Sequence, residues 1–240
     1  MLKPNDSQPL PEQLWQDLRI ASTATLSTAL ARRGLRSVCM TGPRPLQTGM
    51  HFAGEAYTLR MLPTREDVGE PTFLANPDYP QRHAVETIGP GQVLVVDARG
   101  DLRAGILGDI LTLRIARRGA VALVTDGAVR DAAAVASVGM PVFAAGAHPL
   151  QHTAIHVAAD EQLPIQCGGV LVLPGDIIVG DDDGVLVLPR AIASEVAADA
   201  AEQERLEQFV HRKIDAGASI RGVYPPNDAT RAEYEAQRRV

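Results

Sequence analysis

Two cysteines in 240 residues, Cys39 and Cys167, lie far apart and form no C-x-x-C pair. That excludes a disulfide framework and a zinc knuckle, and inert thiols are expected. Positive charge is in deficit: 23 Lys and Arg stand against 29 Asp and Glu, for a net charge of -6. A surface that tracks a nucleic-acid backbone needs a basic face or cluster, so no direct nucleic-acid binding is expected. No uninterrupted apolar run is long enough to span a bilayer, and the opening MLKPNDSQPLPEQ lacks the apolar centre of a signal peptide. The expectation is a soluble, cytoplasmic protein with no membrane partner. Glycines form neither G-x-G-x-x-G after a strand nor a phosphate-binding P-loop, and no serine sits in a nucleophile elbow.

What is present is a chain 45% apolar, enough for a sizeable core in one domain spanning 1–240. A helical extension is expected at about 9–36, where Leu14, Trp15 and Leu18 precede Ser22-Thr23-Ala24-Thr25, hydroxyls suited to capping a second helix or to binding an anion; Gly34 stops it. Strands are expected at 54–61, 93–96, 120–124 and 141–144, with a polar, proline-bearing loop or lid at 64–82. Helices between the last three strands make a β-α-β-α-β run, which predicts parallel pairing in one sheet. Short strands at 170–173, 177–179 and 185–188, separated by Pro174-Gly175-Asp176 and by Asp181-Asp182-Asp183-Gly184, read as antiparallel neighbours. A long helix fills 191–216. The tail at 217–240 has little apolar surface and is expected to pack on a neighbouring subunit or to stay mobile.

The stretch from Gly105 to Asp131 is the candidate for chemistry. Leu107, Ile110, Leu111 and Ile115 fall on one helical face, and the run from Ala120 to Val124 reads as a buried strand ending at the Asp126-Gly127 turn signal. Gly108-Asp109 and Arg130-Asp131 bracket these elements. Adjacent Arg and Asp at the carboxyl end of a strand suit an anionic substrate and a metal. The plainer alternative is that Asp109 and Asp131 cap helices and Arg130 is a solvated charge. Two other clusters have plain readings as well. The Asp181-Asp182-Asp183-Gly184 run resembles a cation loop but passes at once into a strand, which favours a tight turn. His148, His152 and His156 recur every four residues, a spacing for zinc or nickel on a helix, or else surface or interface residues.

Gly105-x-x-Gly108-Asp109-Ile110-Leu111, Gly119, Asp126-Gly127-Ala128-Val129-Arg130-Asp131, Gly139 and Pro141-Val142-Phe143-Ala144 together resemble the RraA-like family. That family contains 4-hydroxy-4-methyl-2-oxoglutarate/4-carboxy-4-hydroxy-2-oxoadipate aldolases and the regulator of ribonuclease E activity A. The resemblance implies an α/β fold of the three-layer β/β/α swivelling-domain type, in homotrimers or homohexamers with sites at subunit contacts. It implies that Gly108, Asp109, Ile110 and Leu111 hold a substrate carboxylate on backbone N–H groups. Arg130 would bind the 2-oxo oxygen and carboxylate, and Asp131 would ligate Mg²⁺ or Mn²⁺ with Asp109 beside the metal's water. A late-helix acid, Glu207 or alternatively Glu204, would act from the neighbouring subunit. The expected activity is a metal-dependent lyase that cleaves a 4-hydroxy-2-oxo acid to release pyruvate through an enolate, with oxaloacetate decarboxylation as a further outcome. No lysine lies in the motif, which disfavours a Schiff base. The alternative from another class is a non-catalytic inhibitor of ribonuclease E.

Overall fold

The computed structural model describes residues 8–65, 67 and 76–238. Its centre is a mixed sheet built on the parallel strands β3 (Gln92–Asp97), β4 (Ala122–Val129) and β5 (Val142–Ala147). The long strand β2 (Phe52–Pro63) runs parallel to β3. At its start β2 pairs antiparallel with β9 (Ile177–Asp181), and at its end with β6 (His156–Glu161). The strand β10 (Gly184–Leu188) closes one edge against β9, and β1 (Arg44–Pro45) flanks β5 at the other.

Strand periodicity divides the sheet into two apolar faces. Val93, Val95, Ala122, Val124 and Phe143 meet Ile165, Cys167, Val170 and Val172 of a separate ribbon, β7 (Ile165–Cys167) and β8 (Val170–Val172). On the opposite face Leu94, Val96, Leu123 and Val142 pack under three helices, α3 (Pro80–Thr87), α4 (Asp109–Arg117) and α5 (Ala132–Ala136). Ribbon, sheet and helices are the three layers expected.

The amino-terminal helices α1 (Glu12–Leu18) and α2 (Thr23–Arg32) pack with α6 (Ala193–Asp215) on β9 and β10, through Leu14, Leu18, Leu26, Leu30, Val196 and Ala200. The hydroxyl cluster is a cap: Ser22 Oγ accepts from Thr25 N at 3.1 Å. Asp181 then accepts from Thr23 N and Oγ1 at 2.8 and 2.6 Å, tying the β9–β10 hairpin to the start of α2. The acidic run is therefore the tight turn of a hairpin, with Gly184 opposite Asp181.

Several expectations are corrected. Asp126-Gly127 does not end a strand; β4 runs through it to Val129, with a register shift between Thr125 and Ala128. The bulge needs glycine, because a Cβ on Gly127 would lie 2.5 Å from Ala98 Cβ. Asp126 is buried there and accepts from Ala98 N, Gly100 N and Gln166 Nε2. Pro174-Gly175-Asp176 does not join antiparallel neighbours, since β8 pairs with β7 and β9 with β2 and β10. The 64–82 loop gives way to α3 at Pro80, and its residues 66 and 68–75 lie outside the described set. In the tail, α7 (Asp228–Arg238) lays Tyr234 on Phe209, beside Leu206, Val210 and Val223 of the same chain, a contact that leaves packing on a neighbouring subunit open. Among the described residues no helix is long and apolar enough to cross a membrane.

Candidate active site

A cleft of about 350 Å³ opens where β4 ends and α4 begins, and its lining includes Gly108, Asp109, Ile110, Leu111, Arg130 and Asp131. Two crossed hydrogen bonds bring these distant segments together. Ile106 N donates to Ala128 O and Arg130 N to Leu107 O, each at 2.8 Å, so the segment leading into α4 lies along the end of β4. Gly105 permits the approach: a Cβ there would sit 2.7 Å from Arg130 N. Gly108 does the same three residues on, since its Cβ would meet Asp131 Oδ2 at 2.8 Å.

Neither aspartate caps a helix in the manner of the plainer alternative. Gly108 is the residue before α4, with Asp109 the first helical residue. Asp131 precedes α5 but makes no side-chain cap bond, and it holds the left-handed conformation φ 53°, ψ 41°. That conformation is uncommon for a non-glycine residue and mildly costly, and here it sets the carboxylate against Gly108. The first amides of α4 have no partner within the helix, and with the helix dipole they favour an anion at this end. Ile110 departs from the expected apolar face: it is 77% exposed, while Thr112 and Ile115 are the buried positions. Because the helix begins only at Asp109, Leu107 is outside its periodicity, and Ile110 contributes its backbone and an apolar rim.

Arg130 is half-buried, and its Nε is buried without a hydrogen-bond partner among the described residues. Arg82, from α3, presents a second such Nε at the same cleft, next to Gln81, whose Nε2 donates to Ile106 O at 2.5 Å. His152 completes this side. It is 5% exposed, stacks on Tyr79 with ring centres 6.1 Å apart, and lies 3.3 Å through Nε2 from the Tyr79 hydroxyl. Burial first, then the neighbouring His156, Arg82 and Arg130, lower its pKa to about 4. The ring is thus neutral at neutral pH.

The three histidines do not share a helix. His148 follows β5, His152 lies in a short 3-10 turn (His152–Ala154), and His156 begins β6 with Nδ1 accepting from Arg99. Among the described residues no group of three or more His, Cys, Asp or Glu is placed to hold a metal within one chain. Asp109 and Asp131 supply two carboxylates at the cleft with no side-chain hydrogen bond to either among the described residues. That donor set suits a hard divalent ion that retains most of its water, so the residues present fit Mg²⁺ or Mn²⁺.

The late-helix acids are elsewhere in this chain. Glu204 accepts from Ser22 N, Ser22 Oγ and Thr25 Oγ1 at 3.1, 2.5 and 2.7 Å. Glu207, one turn on, accepts from Gln203 Nε2 at 2.7 Å and lines a second cavity with Thr28, Arg32 and Arg231. Neither lines the first cleft. Sequence reasoning missed Gln81 and Arg82, which it assigned to a loop; the signal was Tyr79-Pro80, a proline placed to open a helix.

The fold thus puts this cleft at the carboxyl ends of parallel strands, where α/β proteins commonly bind ligands. Residues 23–187 match the RraA-like family model, described as Aldolase/RraA, and the chain belongs to that family. It is 32% identical over 215 residues to protein DlpA of Legionella pneumophila, covering 90% of this chain but 34% of that protein. A protein of Halalkalibacterium halodurans named "Putative 4-hydroxy-4-methyl-2-oxoglutarate aldolase" is 34% identical over 131 residues, 55% of this chain and 62% of its own length. The chain therefore spans less than two thirds of either relative. Among solved structures, Streptomyces coelicolor RraAS2, described as an unusual member of the RNase ES inhibitor RraA protein family, superposes with TM-score 0.75 at 34% identity, covering 86% of this chain and 99% of that one.

Proposed function

We propose that the chain is a carbon–carbon lyase that cleaves a 4-hydroxy-2-oxo acid and releases pyruvate. The observation that carries this reading is the convergence of Arg130, Asp109, Asp131 and the first amides of α4 on one cleft. The names of the aldolase relatives support it.

The α4 amides and Arg130 bind the 2-oxo acid end, amides on the carboxylate and guanidinium on the carboxylate and 2-oxo oxygen. As the 4-hydroxyl loses its proton to water and C4 becomes a carbonyl, the bond between C3 and C4 breaks and its electron pair moves toward the 2-oxo oxygen, where Arg130 faces the charge that develops; the enolate then takes a proton from water at C3 to give pyruvate. Asp131, with Asp109 beside it, would hold a Mg²⁺ or Mn²⁺ ion, which supplies an electrophile for that same charge when bound. A Schiff base is disfavoured: no lysine lies between Gly105 and Asp131, and Lys213 pairs with Glu233 on the α6–α7 face. The same enolate-stabilising residues would support loss of carbon dioxide from oxaloacetate.

Self-association belongs to this reading. Ile110 of the cleft lining, Leu113 further along α4 and Leu150 next to the lining residue Gln151 are exposed apolar side chains, at 77, 43 and 43%. A symmetric trimer or a dimer of trimers would cover them and bring Glu207 of one subunit toward the cleft of another. Inhibition of a ribonuclease by surface contact is the reading favoured by the likeness to Streptomyces RraAS2, whose family is named for RNase ES inhibition. Pyruvate release from a panel of 2-oxo acids, with Mg²⁺ or with a chelator, separates the two. Metal-dependent release above the protein-free rate supports the lyase, and none from any member overturns it.

A further inference from the structure

Arg82 enters the cleft from α3, an element that is neither the end of β4 nor the start of α4. Its backbone is fixed as part of the first helical turn, with Arg82 N donating to Tyr79 O at 2.7 Å. Its Nε is buried and unpartnered, and no described carboxylate forms an ion pair with it. The contrast within the chain is informative. Arg60, Arg103 and Arg114 each pair with an acidic neighbour, and Arg99, whose Nε is also buried without a partner, donates through Nη2 to His156; among the described residues the two arginines of this cleft, Arg82 and Arg130, are the ones with a buried orphan Nε and no side-chain hydrogen bond. Leaving a guanidinium partly desolvated without an acceptor is costly, and the cost is retained where a ligand supplies the acceptor.

The charges assign the two arginines separately. Asp109 and Asp131 face the divalent ion of the proposed function, which offsets both carboxylates. Arg130 is then matched by the carboxylate next to the 2-oxo group. Among the described residues Arg82 is left without a counter-charge, on an element of its own, beside the buried His152 ring that lines the same cleft. A 2-oxo acid with a neutral distal end would leave Arg82 desolvated and unpaired. One with a second carboxylate would satisfy it.

We propose that Arg82 is a specificity-determining residue that binds a second carboxylate at the distal end of the substrate, and so selects dianionic over monoanionic 2-oxo acids. This rests on the proposed function for the placement of the 2-oxo end. Its test reads binding and needs no turnover. Calorimetric affinities for pyruvate and for 2-oxoglutarate, in the presence of Mg²⁺, are compared in the unaltered protein, Arg82→Gln, Arg82→Lys and Arg130→Gln, each checked for an unchanged melting temperature.

Arg82→Gln is expected to weaken 2-oxoglutarate about tenfold or more, the scale of one charged hydrogen bond, and to leave pyruvate within about twofold. Arg82→Lys should restore part of the loss, because it keeps the charge without the planar fork. Arg130→Gln should weaken both ligands. Equal effects of Arg82→Gln on the two ligands, or no effect on either, overturn the assignment of Arg82 while the function stands. Failure of the unaltered protein to bind either ligand overturns the function and the assignment together.

Discussion

The Asp131 carboxylate lies against the bare Cα of Gly108, so closely that a Cβ at position 108 would stand 2.8 Å from Asp131 Oδ2. Gly108 has φ -111° and ψ -171°, an extended conformation open to any residue, so its glycine is needed for space and not for backbone freedom. Gly108→Ala should therefore cost little stability, about 0.5–1 kcal/mol for the weaker residue at a helix start. Displacing the carboxylate should lower metal-dependent pyruvate release by about a hundredfold, the scale for a displacement near 1 Å at a reacting centre. Steady-state rates beside urea unfolding check both halves; full activity in Gly108→Ala would show that the contact does not position Asp131.

Asp131 is left-handed and makes no cap bond. Asn tolerates that conformation as well as Asp, so Asp131→Asn should leave the unfolding midpoint almost unchanged. Its metal affinity should fall by an order of magnitude or more, because a neutral amide replaces an anionic oxygen donor. Arg130→Lys should keep metal affinity and lose about a hundredfold or more in turnover. Calorimetry with Mn²⁺ and pyruvate release separate the pair, and Asp131→Asn with unaltered affinity and turnover would remove this cleft as the active site.

Those two side chains were legible in the sequence because a local pattern, Arg130-Asp131 after an apolar run, carried both. The parallel β3–β4–β5 order was legible for a similar reason, through short β-branched runs separated by helical spacing. What failed depended on contacts between distant segments. Asp126-Gly127 has the composition of a turn, yet the packing of Ala98 on Gly127 and four donors to Asp126, from Ala98, Gly100, Gln166 and Gly168, hold it as a strand bulge. The ribbon strands 165–167 and 170–172 are too short to show their partner by period, and the β8–β9 connection changes sheet, which turn composition does not encode. Arg82 was hidden because a polar, proline-rich stretch reads as loop until Pro80 is recognised as a helix start.

The neutral His152 ring makes stability pH-dependent with a definite sign. Its pKa in the folded chain is about 4, below the ordinary 6.5, so between these values the unfolded chain binds a proton that the folded chain does not. The contribution is fully present above pH 6.5 and is lost as the pH falls toward 4, by about 3 kcal/mol. His156, lowered first by burial and then by Arg99, acts with the same sign and remains in the single variant. Urea unfolding at pH 7 and pH 4.5 should show a smaller acid loss in His152→Gln than in the unaltered protein. An equal loss in both would mean that His152 is protonated without penalty.

Glu204 and Glu207 sit one turn apart on α6 and are expected to separate cleanly. Glu204 accepts three hydrogen bonds that hold the start of α2, so Glu204→Gln should cost about 1–3 kcal/mol of stability while leaving turnover per folded molecule unchanged. Among the described residues Glu207 accepts only from Gln203 on its own helix, so Glu207→Gln should be nearly neutral for stability. If Glu207 serves a neighbouring subunit's cleft, Glu207→Gln and Arg130→Gln are each inactive alone. A mixed assembly refolded from the two then contains clefts in which an intact Arg130 meets an intact Glu207, and activity should return to a fraction of that of the unaltered protein. Light scattering on the same samples should report a trimer or hexamer. A monomer, or mixed assemblies as inactive as their parents, would remove Glu207 from the site and leave the cleft of a single chain to carry the chemistry.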